Sequence, residues 1–91
     1  QIITVDHFGN LITNVERRHL DRLTHGDALQ AHLPGCEPIE VLSTYGDVAP
    51  GHTVAVVGSG SVLEVAVRNG SAASRLALAP GEAIVITSGG R

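Results

Sequence analysis

The 91-residue sequence is poor in the residues that several functional classes need. It has one cysteine, one phenylalanine, one tyrosine and neither methionine nor tryptophan. The lone Cys36 excludes an intrachain disulfide and a CxxC metal site. Single-strand nucleic-acid binders combine a basic groove with several stacking aromatics, whereas this chain has six Lys and Arg residues and a net charge of −3. We therefore expect no nucleic-acid partner.

Long apolar runs and metal-ligand spacings are missing as well. No run approaches the ~18 residues of a membrane helix, and no charged and apolar leader opens the sequence, so we expect a cytoplasmic protein without membrane association. The five histidines show no HxH, HxxH or HExxH spacing, so we expect no metal site. Because the methionine-free chain starts within a predicted strand, we also expect it to be a piece of a longer protein.

The residues that are present indicate one small β domain spanning 1–91. Hydrophobic residues make up 43% of the chain, and its 17 valines and isoleucines occur in short runs separated by glycine and proline. These runs predict an all-β fold, a small and mostly antiparallel β-barrel or sandwich of six or seven strands with two short helices. The predicted strands are 2–6, 11–12, 28–33, 39–42, 53–57, 62–67 and 83–87. The predicted helices are 14–23 and 71–76.

Two local patterns refine this prediction. Thr13 and Glu16 have the spacing of a capping box, which predicts that the first helix starts after Thr13. Leu29, Ala31 and Leu33 alternate with polar residues and should share one buried face. The run 53–57 lacks alternation and should be buried on both faces.

The segment 6–14 concentrates polar and aromatic side chains at a strand end. It holds a carboxylate, the only phenylalanine, a glycine and two asparagines. These residues suit an ordinary turn, and they equally suit a recognition loop, since an asparagine amide can pair with the edge of adenine. Tyr45 stands in a polar loop, where a lone tyrosine is more often a peripheral packing residue. The run 58–61 lacks the lysine and the following helix of a phosphate loop.

Three segments, 5–14, 45–48 and 63–73, resemble the C-terminal domain of the S-adenosyl-L-methionine (SAM) hydrolases. These enzymes are also called SAM hydroxide adenosyltransferases and are related to SAM-dependent chlorinases and fluorinases. The resemblance implies a longer trimeric enzyme in which water cleaves SAM to adenosine and methionine without a cofactor. It also implies that the substrate lies between this barrel and the N-terminal α/β domain of a neighbouring subunit. The catalytic residues would belong to that other domain, so we expect none here and no activity of the isolated barrel.

The resemblance assigns binding roles to particular residues. Asp6 would meet the methionine ammonium, Phe8 would wall the nucleoside pocket and Asn10 would pair with the adenine edge. Tyr45 would stack on adenine and Ser59 would donate to the substrate carboxylate. The backbone of Arg68 and Asn69 would complete adenine recognition.

Two departures separate the chain from the halogenating relatives. Gly60 stands where those relatives have an arginine, and Ile12 lies near the position of a tryptophan, so both favour a hydrolase over a halogenase. A SAM-dependent chlorinase domain stays an alternative. A non-catalytic binding barrel, including an oligonucleotide-binding one, and a structural barrel that has lost its ligand are the others.

Overall fold

The computed structural model describes residues 1–24, 28–42 and 48–88, and within these ranges the chain forms seven strands and two helices. The strands are β1 (Ile2–Val5), β2 (Leu11–Glu16), β3 (Leu29–His32), β4 (Ile39–Leu42), β5 (Thr53–Val57), β6 (Val62–Val67) and β7 (Val85–Ser88). The helices are α1 (Arg17–Thr24) and α2 (Ala72–Leu76).

One curved sheet contains all seven strands, in the order β1-β2-β6-β5-β4-β3-β7. Every neighbouring pair is antiparallel except β4 and β5, which run parallel. The two ends of the sheet approach each other, because the Ile2 N–H donates to the Glu82 carbonyl at 2.9 Å and the Gly81 N–H donates to the Ile2 carbonyl at 2.8 Å. The sheet is thus a half-barrel, and the predicted all-β, mostly antiparallel fold is confirmed.

The core follows the alternation of the strands. Leu29, Ala31 and Leu33 are all buried, as their period-two spacing predicts. In β5 three successive residues are buried, because Ala55 joins the main core while Val54 and Val56 pack with Val48 and Ala66 on the other face of the sheet. The prediction of a strand buried on both faces is confirmed.

The predicted capping box at Thr13 is wrong. Thr13 lies inside β2 and is 2% exposed, and its hydroxyl donates to the Leu63 carbonyl on β6 at 2.8 Å. The same hydroxyl oxygen accepts from the Val15 N–H at 3.1 Å. Pairing of β2 with β6 therefore extends the strand to Glu16, where local spacing alone predicted helix.

Helix α1 begins three residues later than predicted. The Glu16 N–H donates to Nδ1 of His19 at 3.1 Å, so a histidine side chain satisfies a backbone donor at the start of the helix. Helix α2 starts at Ala72, one residue later than predicted, because Ser71 is its N-cap and its hydroxyl accepts from the Ser74 N–H at 3.2 Å. Helix α1 ends at Thr24, one residue beyond the predicted range of 14–23.

Candidate functional site

The loop that joins β1 to β2 is organised around the carboxylate of Asp6. Oδ1 of Asp6 accepts from the backbone N–H groups of Phe8 and Asn10, each at 2.9 Å, and Oδ2 accepts from Nδ2 of Asn10 at 3.1 Å. The backbone closes the same turn, since the Asp6 N–H donates to the Asn10 carbonyl at 3.0 Å. Short acidic side chains favour such turns because they accept from backbone donors a few residues further along the chain. The loop therefore holds Phe8 and Asn10 in a defined arrangement.

Gly9 attaches this loop to the start of α2. Its φ is +83°, a region that side-chain-bearing residues rarely adopt, and its carbonyl accepts from the Ala73 N–H at 2.9 Å. A Cβ at Gly9 would lie 2.1 Å from Oγ and 2.6 Å from Cβ of Ser71. Glycine is thus needed at position 9 for both its backbone conformation and the close approach of the loop to α2.

A tight turn between β6 and α2 forms the opposite wall. The Gly70 N–H donates to the Val67 carbonyl at 3.0 Å, and Asn69 between them has a φ of 62°. Asparagine tolerates this left-handed conformation better than most residues, and such conformations concentrate at functional sites. Asn69 is exposed and makes no hydrogen bond to any residue in the described ranges. Within the described residues, its polar groups are therefore uncommitted.

The loop and the turn line an open surface cavity of about 430 Å³. The cavity is lined by Phe8, Asn10, Ala66, Val67, Arg68, Asn69 and Gly70. Phe8 is 74% exposed, and its ring meets the His7 ring edge-on with centroids 5.3 Å apart. A protruding aromatic beside amide groups and an apolar floor is an arrangement that suits a flat heterocycle with hydrogen-bonding edges.

Arg68 lines the cavity, but its polar groups serve the fold. Its backbone N–H donates to the His52 carbonyl at 3.0 Å, and its carbonyl accepts from the Gly51 N–H at 2.8 Å. Its guanidinium donates to the Val48 carbonyl. Of the two backbones expected to complete the site here, that of Arg68 is committed to the fold, whereas that of Asn69 makes no hydrogen bond within the described residues.

Ser59 lies apart from this cavity. It is exposed in the turn between β5 and β6, whereas Asn69 follows the other end of β6. At ~3.3 Å per residue, the six residues of β6 separate the two turns by roughly 16–20 Å. Tyr45, the other expected aromatic contact, lies outside the described residues.

Sequence reasoning missed the residues that position this loop. Gly9 and Ser71 make the contact between the loop and α2, although neither belongs to the expected binding set. A local signal exists at the turn, because Asn69-Gly70 is a dipeptide that favours a reversal of the chain. Nothing local predicts that Gly9 meets Ser71.

Two further observations concern other kinds of site. Within the described ranges, no three His, Cys, Asp or Glu side chains come together in a group that could hold a metal ion. None of the helices in those same ranges is long and apolar enough to cross a membrane.

Comparison with known proteins places these features in a family context. The family model described as SAM hydroxide adenosyltransferase C-terminal domain matches residues 1–85. A Salinispora tropica protein named (R)-S-adenosyl-L-methionine hydrolase is 34% identical over 89 residues, which are 98% of this chain and 32% of that protein. A Thermus thermophilus protein of the same name is 37% identical over 81 residues, 89% of this chain and 29% of its own length. The chain thus spans about a third of the curated relatives that it matches.

Solved structures share the fold over nearly the whole chain. A crystal structure of an uncharacterized conserved protein from Thermotoga maritima superposes with a TM-score of 0.75 at 29% identity, covering 94% of this chain and 34% of that one. A conserved hypothetical protein from Thermus thermophilus gives 0.70 at 32% identity, covering 96% of this chain and 33% of that one.

Proposed function

The chain belongs to the SAM hydroxide adenosyltransferase family as its C-terminal domain, and from that premise we propose that it is the adenosine-binding domain of a SAM hydrolase. In the proposed reaction, the oxygen of water attacks C5′ of the ribose while the bond from C5′ to the sulfonium sulfur breaks. Methionine leaves as a neutral thioether, and the water proton goes to solvent or to a base outside this domain. The products are adenosine and methionine, and no cofactor takes part.

The cavity beside Phe8 is the observation that carries the proposal. Its volume of about 430 Å³ falls within the usual range of small-molecule sites. The Phe8 ring offers a stacking surface, and the Asn10 amide can present an acceptor and a donor to the amino and ring nitrogens of adenine. Asn69 at the opposite wall supplies further polar groups that have no partner among the described residues.

The remaining contacts would come from outside the cavity. Asp6 retains a lone-pair position on Oδ2 beyond its three loop hydrogen bonds, which suits the substrate ammonium. Ser59 would donate to the substrate carboxylate only if the substrate extends along the sheet toward the β5–β6 turn. We place the reacting groups in the N-terminal domain of a neighbouring subunit of a trimer, so the barrel alone binds without catalysis.

The test is SAM turnover by the full-length protein and its Asn10→Ala variant. Loss of an amide–adenine pair costs about 1–3 kcal/mol of interaction free energy with the substrate. The kcat/KM for SAM should therefore fall about fivefold to 150-fold. Asn14→Ala is the matched control, because Asn14 is exposed on β2, which follows the loop directly, and does not line the cavity. The control variant should retain the kcat/KM of the unmodified protein.

The alternatives predict different results. A structural barrel predicts no adenosine binding by calorimetry, and a non-catalytic binding module predicts adenosine binding without SAM cleavage. An oligonucleotide-binding barrel predicts that a single-stranded oligonucleotide binds more tightly than adenosine. A halogenase predicts chloride-dependent formation of a halogenated nucleoside. Equal kcat/KM for the Asn10→Ala variant and the unmodified protein would contradict the proposed site even if SAM is cleaved.

A further inference from the structure

We infer that Asp6 acts as a positioning residue that orients the Asn10 amide and thereby makes the cavity select a 6-aminopurine over a 6-oxopurine. The inference rests on the proposed adenosine site and adds the origin of its base specificity. It assigns to Asp6 a role that does not require contact with the ligand.

The hydrogen bonds of the loop carry this inference. Asp6 accepts from the backbone N–H groups of Phe8 and Asn10 through one oxygen and from the Asn10 side chain through the other. A carboxylate can only accept, so the group of the Asn10 amide that faces it at 3.1 Å must be the NH₂ group. The charge of Asp6 thus determines which way round the amide stands.

That orientation decides what Asn10 offers to a ligand. Its Oδ1 accepts no hydrogen bond from the described part of the chain, and its NH₂ group keeps one N–H beyond the bond to Asp6. Because Asn10 lines the cavity, it can present an acceptor together with one donor. The 6-amino group and N7 of adenine complement this pair, whereas O6 and N7 of a 6-oxopurine are both acceptors.

Replacing Asp6 by asparagine tests this orientation directly. In the Asp6→Asn variant the side-chain oxygen can still accept from the Phe8 and Asn10 N–H groups, so the turn keeps its backbone bonds. The NH₂ group of the new asparagine would face the Asn10 amide. The Asn10 amide must then turn its oxygen toward that asparagine and its NH₂ group toward the cavity. The variant should therefore bind adenosine more weakly and inosine, which carries O6, relatively better.

The measurement is calorimetric titration of the full-length protein and its variants with adenosine and with inosine. Correct amide–base pairs discriminate by about fivefold to 150-fold, so the adenosine-over-inosine affinity ratio should fall at least about fivefold in Asp6→Asn. Asp21→Asn removes the same charge from the exposed face of α1 and should leave the ratio unchanged. Thermal unfolding of each variant checks that the fold is retained.

The outcomes separate this inference from the function on which it rests. A reduced ratio in Asp6→Asn supports it. An unchanged ratio overturns the inference while leaving the adenosine site intact. If both nucleosides bind more weakly by the same factor, Asp6 only holds the loop together, and if neither affinity changes, Asp6 does not orient Asn10. Failure of the unmodified protein to bind adenosine at millimolar concentration would overturn the proposed function, and this inference with it.

Discussion

Replacing Gly9 by alanine should destabilise the domain more than most substitutions in a surface loop do. Three effects act together. The φ of +83° becomes unfavourable, a methyl group would lie 2.1 Å from Oγ of Ser71, and relief of that clash would pull the loop away from α2. Separation would lengthen the 2.9 Å hydrogen bond between the Ala73 N–H and the Gly9 carbonyl.

The magnitude follows from these contacts. A left-handed backbone costs a residue with a Cβ roughly 1–2 kcal/mol. A disturbed Ser71 cap costs about 1 kcal/mol, and the lost hydrogen bond costs about 0.5–1.5 kcal/mol. We expect these effects to lower the free energy of unfolding by about 3 kcal/mol. Alanine offsets ~0.4–1 kcal/mol of this loss, because it reduces the conformational entropy of the unfolded chain.

Gly35 provides the matched control for equilibrium urea unfolding. Its φ is +71°, and a Cβ there would have no heavy atom within 4 Å, so Gly35→Ala carries the backbone strain without the clash. The unfolded-chain effect is the same in both variants. The free energy of unfolding should therefore fall further in Gly9→Ala than in Gly35→Ala, by about 1–3 kcal/mol.

A second substitution identifies the partner of the clash. Ser71→Gly removes Oγ and Cβ and leaves only Cα, which would lie 3.1 Å from the Cβ of an alanine at position 9. In the unmodified protein this change should cost a few tenths of a kcal/mol, whereas in Gly9→Ala it should restore about 1 kcal/mol. Equal losses in Gly9→Ala and Gly35→Ala, or no restoration by Ser71→Gly, would refute the reasoning.

Two other substitutions separate stability from binding. Thr13→Val deprives the Leu63 carbonyl of a buried donor at 2.8 Å and should lower the free energy of unfolding by about 1–3 kcal/mol; thermal or urea unfolding that matches the unmodified protein would contradict this. Phe8→Ala should change the free energy of unfolding by less than ~0.5 kcal/mol, because the side chain is 74% exposed. It should weaken adenosine binding by about 1–3 kcal/mol in calorimetry, and an unchanged affinity would remove Phe8 from the site.

The strands were predictable where burial leaves a periodic trace. Leu29, Ala31 and Leu33 alternate because one face of β3 meets the core, and β5 loses its alternation because both faces are covered. The end of β2 was not predictable in this way. Threonine is a residue type that often caps helices, but the Thr13 hydroxyl donates to the carbonyl of Leu63, 50 residues away. Local spacing does not predict a partner at that distance.

The candidate site divides along similar lines. Phe8 and Asn10 lie two residues apart in one loop, so a local motif brings them together, and both line the cavity. The separation of Ser59 from that cavity follows from its place at the other end of β6, which depends on how the strands connect. The Asp6 carboxylate accepts three hydrogen bonds from its own loop. These bonds depend on the backbone conformation of the loop, which the residue types favour but do not determine.

The two hydrogen bonds between Ile2 and residues 81–82 have a consequence for the order of folding. They join residues that are about 80 positions apart in the sequence. Contacts of such separation generally form slowly, because a long loop must close first. The 6–10 loop follows β1 directly and contacts α2, so we expect the cavity beside Phe8 to be completed late in folding. A nucleoside that binds only the completed fold therefore acts mainly by slowing unfolding.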